Sequence, residues 1–175
     1  LSSIEDFRTH INAIHQHLTG ELNIGITDNL VTLPHTRITH SLAGLKDKGP
    51  QVTVNIRMIP PTDVERGVLD GGLHIGIVPD LKILSGLEYH HLYEEESKLY
   101  CSDTHPLFNI NDQKISKAKL KNYDAVLPAY AQTPDIKAQH QPLQASATAT
   151  DREGIAFLIL TGRYIGFLPD HVAAH

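Results

Sequence analysis

Three short apolar runs separated by two amphipathic segments occupy residues 22–78, and this alternation restricts the fold more than any other feature of the chain. Leu22-Asn23-Ile24-Gly25-Ile26 reads as a buried strand. Leu33-Pro34 opens a helix carrying Ile38, Leu42 and Leu45, since proline suits a first helical turn, and Lys48-Gly49-Pro50 stops it. Val52, Val54, Ile56 and Met58 alternate with polar residues as a second strand, broken by Pro60-Pro61. Thr62-Asp63-Val64-Glu65 has the hydroxyl-to-carboxylate spacing of a capping box, and its helix closes at Gly71-Gly72. Leu73 to Val78 is a third strand, ending at Pro79-Asp80. Strands joined by helical connections of this length predict a parallel sheet with right-handed crossovers, so the fold class is α/β. In such sheets ligands lie beyond the carboxyl ends of the strands. The loops beginning at Thr27, Pro60 and Val78 are therefore the ones to watch.

The second half repeats the alternation less regularly. Leu87 to Cys101 is a long extended stretch, with Glu94-Glu95-Glu96 read as a solvated turn. His105-Pro106-Leu107 closes it, and Ser116 to Lys121 is a lysine-rich helix candidate. Ala125-Val126-Leu127 makes a strand before Pro128. Residues 131–147, rich in Gln, Pro and Ala, have poor periodicity and yield no element. Thr150-Asp151-Arg152-Glu153 is another capping box, for a helix with Ile155, Leu158 and Ile159 that Gly162 ends. Ile165 to Leu168 is a last strand, stopped by Pro169. The whole reads as two lobes with a cleft between them. Upstream, a capping box at Ser2-Ser3-Ile4-Glu5 precedes an apolar stripe of Ile4, Phe7, Ile11, Ile14 and Leu18. That helix either packs on its own domain or pairs with another chain.

Composition removes several function classes. The net charge is −5, and phosphate binding needs clustered Lys and Arg, so this chain does not hold nucleic acid by electrostatics alone. Its one cysteine, Cys101, forbids an intrachain disulfide, fits a reducing compartment, and reads as a small strand residue rather than a reactive thiol. No apolar run approaches a membrane span, and no leader is visible, although the chain begins at Leu1 and reads as a piece of a longer protein. There is no G-x-S-x-G elbow and no Walker loop, and Gly25-Ile26-Thr27 lacks the further glycines of a dinucleotide site. Catalysis is not expected, nor is a cofactor. The 12 histidines include His15-Gln16-His17, His90-His91, and His171 with His175, at spacings a metal could use. No carboxylate or thiolate cluster completes them, so they read as surface composition and no metal site is expected.

What remains are loop residues able to hydrogen-bond a small ligand. Thr27, Asp28 and Asn29 lie between a strand and a helix start; Thr62 lies at another start, and Thr148 and Thr150 precede a third. Helix N-termini present unpaired N–H groups that suit carboxylates, although the same threonines could simply cap. No Arg or Lys sits in these loops, so a carboxylate ligand would rely on amides and hydroxyls, and Asp28 would oppose it unless turned away.

In order along the chain, these pieces resemble the effector-binding half of LysR-type transcription regulators. Gly20-Glu21-Leu22-Asn23-Ile24-Gly25-Ile26 is similar to the family's "G-x-L-x-I-G" strand, and Leu33-Pro34 falls where its first helix starts. Gly49-Pro50-Gln51-Val52 resembles "Y-P-x-V", and Gly72-Leu73-His74-Ile75-Gly76-Ile77 resembles "G-x-L-D-I-G-I". His105-Pro106-Leu107 matches "H-P-L", and Gly162 to Pro169 resembles "G-x-G-I-x-x-L-P". The resemblance implies two Rossmann-like lobes of the periplasmic-binding-protein type with a hinge, preceded by the end of a linker helix. It implies residues 1–19 as that helix, 20–95 as the first lobe and 96–175 as the second. A small-molecule effector, a carboxylate or aromatic metabolite, would lie in the cleft. DNA would be bound only through a winged helix-turn-helix ahead of this chain, in a cytoplasmic homodimer or homotetramer that does not touch the membrane.

Carried over position by position, the pocket is Thr27, Asp28, Asn29, Thr62, Val78 and Pro79 in the first lobe, with Ala129, Tyr130 and Phe167 in the second. Three departures stand out. His74 replaces the usual Asp. Tyr164 replaces a glycine and could turn an aromatic ring toward the cleft. The chain also ends at His175, before the strand and helix that in the family return to the first lobe. The other reading is a free-standing solute-binding receptor of a transport system, which shares the fold but should carry a leader and lack the helical stripe before Thr19.

Overall fold

The structure, a computed structural model, describes residues 18–28, 30–33 and 37–175. The expected N-terminal helix lies outside these residues up to His17, with its capping box and His15-Gln16-His17, as do Asn29 and Pro34; at its expected end Leu18 is not helical and Thr19 already belongs to the first strand. In the first lobe β1 (Thr19–Ile26), β2 (Gln51–Met58) and β3 (Ile75–Ile77) form a parallel sheet in the order β2-β1-β3. The crossovers contain α1 (Ile38–Lys48) and α2 (Pro61–Leu69). β1 is central and Ile24 to Ile26 are buried, as an apolar run covered on both faces requires. On one face Ile24, Ile26 and Leu30 pack with Ile38 and Leu42 of α1. On the other face α2 sets Val64, fully buried, against Gly25 and Gly76.

The element starts differ from expectation for local reasons. α2 begins at Pro61, after Pro60 and without a side-chain cap. Proline's fixed φ fits the first helical position, which moves the start upstream and makes Thr62 an exposed second residue rather than the cap. β3 begins at Ile75 rather than Leu73, because the Leu73 N–H turns back to the Gly67 carbonyl at 2.8 Å. His74 accepts the Asn23 N–H on Nδ1 at 2.9 Å, and its own N–H donates to the Asn23 carbonyl at 2.8 Å. The ring thus supplies an acceptor beside the strand, with its proton on Nε2.

In the second lobe β5 (Asp124–Pro128) and β6 (Gln144–Ala149) are parallel, while β4 (Ser97–Tyr100) and β7 (Gly166–Pro169) are antiparallel. A bridge between Ala125 and Ile165 links the two pairs, giving the spatial order β6-β5-β7-β4. The helices are α3 (Lys117–Leu120), α4 (Pro134–His140), α5 (Arg152–Leu160) and α6 (Asp170–Ala173). Val126 and Leu168 pack against Ile155 and Ile159 of α5, and Leu107, Ala125 and Ile165 form a separate cluster.

Residues 131–147 do hold structure: α4, capped by Thr133 with Pro134 in its first turn, and most of β6. Both are largely exposed, so they carry little of the apolar periodicity that reveals an element. Of the stretch from Leu87 to Cys101 only Ser97–Tyr100 is a strand. The cap of α5 is Asp151, whose Oδ1 accepts the Gly154 N–H at 2.7 Å; Thr150 lies one residue too early. Tyr164 packs on the core beneath α5 rather than into the cleft.

Candidate functional site

The loop leaving β1 and the start of α5 belong to different lobes, and they meet. Thr27, buried at the carboxyl end of β1, donates both its N–H (3.2 Å) and its hydroxyl (3.1 Å) to the Ile77 carbonyl on β3. This double bond to one oxygen fixes where the next residue goes. Asp28 reaches across and its Oδ2 accepts the backbone N–H of Arg152, at 2.7 Å. A carboxylate on the first turn of a helix is favoured by the unpaired amides and the helix dipole. Burial nevertheless pushes the Asp28 carboxyl above its usual range, against the downward pull of the Arg152 amide and charge.

The Arg152 guanidinium lies in the same place. Its side chain is only 9% exposed and forms a forked pair with Glu95, Nη1 to Oε1 at 3.0 Å and Nη2 to Oε2 at 2.6 Å. Nη1 also donates to the Asp28 carbonyl at 3.4 Å. Burial would lower the guanidinium pKa, but the bonds and charge of Glu95 outweigh it and hold Arg152 above its ordinary value. Glu95 takes a further bond from His171 Nε2 at 3.0 Å, and His171 Nδ1 meets the Thr32 hydroxyl at 2.7 Å. An ionised carboxylate only accepts, so Nε2 carries the proton; in the neutral ring Nδ1 then accepts from Thr32. Tyr130 faces Arg152 and Asp28, and burial raises its phenol while Arg152 opposes that shift. Tyr93 is pushed up to about 12, by burial first and by the Glu95 charge second.

Of the expected pocket residues, Asp28 and Tyr130 thus lie at Arg152, and Thr27 precedes Asp28 on the end of β1. The others are placed differently. Thr62 is exposed on α2, Val78 and Pro79 are half-buried after β3, and Ala129 is exposed with its N–H bound to the Ala149 carbonyl at 2.8 Å. Phe167 stacks on His140, ring centroids 4.8 Å apart. Because β7 alternates, Phe167 faces away from α5.

Four residues of the cluster were not among the expected pocket residues: Thr32, Glu95, Arg152 and His171. Arg152 corrects the expectation that no cation reaches these loops; it was hidden inside a capping pattern. Glu95 corrects the solvated-turn reading of the triple glutamate: Glu94 and Glu96 are exposed, whereas the Glu95 side chain is 16% exposed. The alternation Tyr93, Glu95, Ser97 in an extended segment was the available signal, since every second residue turns inward. His171 binds Glu95 and Thr32 instead of pairing with His175. Two surface cavities lie elsewhere. One of about 300 Å³ is lined by Arg57, Asp63, Arg66 and Asp70, and one of about 410 Å³ by Lys117, Gln139 and Phe167.

Fold and site together define a two-lobed α/β binding domain in which polar loops of both lobes converge at the strand ends. The family model of the LysR substrate binding domain matches residues 15–175, and the chain belongs to that family. Over 174 residues it is 55% identical to the HTH-type transcriptional activator BauR of Pseudomonas aeruginosa, an alignment covering 99% of this chain and 57% of that protein. The chain therefore spans little more than half the length of this relative. Among solved structures, HinK, a LysR family transcriptional regulator from Pseudomonas aeruginosa, superposes with a TM-score of 0.64 at 14% identity, covering 94% of this chain and 57% of that one. The C-terminal domain of a probable LysR family regulator from Rhodococcus sp. RHA1 gives 0.66 at 17% identity, covering 86% and 74%. CbnR, also a LysR family regulator, gives 0.63 at 18% identity, covering 99% and 61%. At such identities these structures bear on the fold alone, the periplasmic-binding-protein type.

Proposed function

We propose that this chain is the effector-sensing part of a LysR-type transcription regulator, binding a small molecule between its lobes. The observation that carries this is the meeting of Asp28, held beside the buried Thr27 of one lobe, with Arg152 and Tyr130 of the other. A molecule seated there touches both lobes, so it binds one arrangement better than another and shifts the population. The guanidinium and α5 amides already hold Glu95, Asp28 and Asp151, so a carboxylate ligand enters only by displacing one of these carboxylates, whereas Tyr93 and Tyr130 suit an aromatic group. Thr27, Asp28, Asn29, Thr62, Val78, Pro79, Ala129 and Tyr130 are the contacts we assign to the cleft as a whole, while Phe167, against His140 and away from α5, is left out of it. We place the boundary between the lobes at residues 95 and 96.

In the parent protein the shift would move two DNA-reading domains relative to each other, and half-site spacing makes that geometry matter. DNA is reached only through a helix-turn-helix domain outside this chain, in a cytoplasmic homodimer or homotetramer. No catalysis is assigned. The relatives are named as regulators, which supports this reading over a transport receptor.

A thermal-shift screen of the parent protein against organic acids, amino acids and aromatic metabolites identifies the ligand through the stabilisation that binding confers. Thr27→Ala and Tyr130→Phe should each weaken that ligand, up to about tenfold for one lost hydrogen bond, with the fold intact. Unchanged dissociation constants in both variants would remove these residues from the site. A ligand that binds without altering the DNA footprint would remove the switch.

A further inference from the structure

We propose that Arg152, Glu95 and His171 form a polar latch that sets the closure of the two lobes. The strong packings between strands and helices all fall within one lobe or the other. Among the described residues, the connection from β3 to β4 and the polar cluster centred on Glu95 cross between the lobes.

Glu95 sits on that connection, and the chain is pinned on either side of it. Tyr93 packs with the first-lobe core of Ile24, Ile26 and Leu30, whereas the Glu96 carbonyl accepts the Asp170 N–H of the second lobe at 2.9 Å. From Glu95 the bonds run outward in both directions. Arg152 and His171 come from the second lobe, and each also touches the first: Arg152 at both the carboxylate and the carbonyl of Asp28, His171 at the hydroxyl of Thr32. One carboxylate therefore organises two side chains that bridge the lobes.

Little water reaches this cluster: the side chains of Arg152, Glu95 and His171 are 9%, 16% and 7% exposed. Forked, charge-assisted bonds in such surroundings are short and directional. Breaking one partner leaves a buried charge uncompensated, a state relieved only by letting water in, which means opening the lobes. The latch is thus two-state by construction: either all of its members are paired and the lobes are closed, or they are hydrated and the lobes are apart. Any ligand that needs an open cleft binds in competition with it, and any ligand that completes the closed arrangement binds in concert with it. This inference rests on the two-lobed sensor reading, but its test uses no effector, so either can fail without the other.

The test is hydrogen–deuterium exchange on the intact protein with Glu95→Gln and with His171→Leu. Loss of the latch should speed exchange about tenfold or more at the amide of Arg152 and in residues 28–33, while the paired amides of β1 and β2, of β5 and β6, and that of Asp170 keep their protection. His171→Leu leaves the Arg152–Glu95 pair in place and should give the same pattern more weakly; it carries the test if Glu95→Gln does not fold. Wild-type protection at the interlobe amides in a folded variant would overturn the latch. So would uniform loss of protection across both sheets in His171→Leu, since the cluster would then support the lobes themselves and not their closure.

Discussion

Gly25 and Gly76 lie side by side in β1 and β3, paired in register, and Val64 of α2 sits on both. A Cβ on Gly76 would lie 2.5 Å from Val64 Cγ1; one on Gly25 would lie 2.6 Å from Leu73 Cδ1 and 3.1 Å from Val64 Cγ1. The absence of two side chains is what lets the helix approach the sheet. Gly76→Ala should therefore destabilise the protein by about 1–3 kcal/mol, the usual cost of overpacking a filled core. Gly44 in α1 offers the control, because nothing lies within 4 Å of its added Cβ. Gly44→Ala should stabilise by about 0.5–1 kcal/mol, since glycine weakens a helix interior. Denaturant midpoints at constant m-value read both; equal shifts of the same sign would contradict the packing.

His105 predicts an acid-side loss of stability. It is buried, its Nδ1 accepts the Leu107 N–H at 3.1 Å, and its ring lies 5.4 Å from that of Tyr123. Burial, and then the charge of Arg163, hold its pKa below the ordinary 6.5. The folded state therefore binds this proton less readily than the unfolded chain. The stability it contributes is present above the ordinary value and is lost as pH falls below that value and through the lowered one. Denaturation between about pH 8 and about pH 5 should show this slope, and His105→Asn, which keeps an acceptor and cannot protonate, should flatten it. Identical slopes in the two proteins would rule it out.

The register of the α5 cap can be read by mutation. Asp151→Ala should cost about 0.5–2 kcal/mol, Asp151→Ser much less, and Thr150→Ala almost nothing, if Asp151 alone supplies the capping oxygen. Urea denaturation measures all three. A Thr150→Ala loss as large as that of Asp151→Ala would shift the cap back by one residue.

The elements that the sequence announces are those with regular apolar patterning, buried at the end of β1 and on one side of α5 but exposed in β2 at Val54, Ile56 and Met58. β1, β2 and α5 have dense apolar runs and clear stops, and each is found within a few residues of its expected span. α4 and β6 escape notice because they face solvent, so periodicity has little to act on. Of the site, Thr27, Asp28 and Tyr130 could be reached from their places in the chain, because strand ends converge in any parallel α/β sheet. Glu95, Arg152 and His171 could not, because what matters about them is pairing across long separations in sequence. A charge in a capping box or a glutamate run carries no local mark of its partner. The missed starts of α2 and α5 have a different cause: two overlapping cap patterns compete, and proline geometry or a carboxylate's reach decides between them.

The antiparallel pair β4–β7 joins Ser97–Tyr100 to Gly166–Pro169, at opposite ends of the second lobe. During synthesis the first-lobe strands can pair with one another as soon as they emerge, whereas β4 must wait until β7 leaves the ribosome. For that interval it is a naked strand edge carrying Leu99 and Tyr100. Lys98 in its middle, and Glu96 just before it, place charge where a stray strand from another chain would have to dock, which is how exposed edges are kept from aggregating. When β7 and α6 arrive, Asp170 takes Lys98 at 2.7 Å, and the same charge that guarded the nascent edge becomes part of its closure.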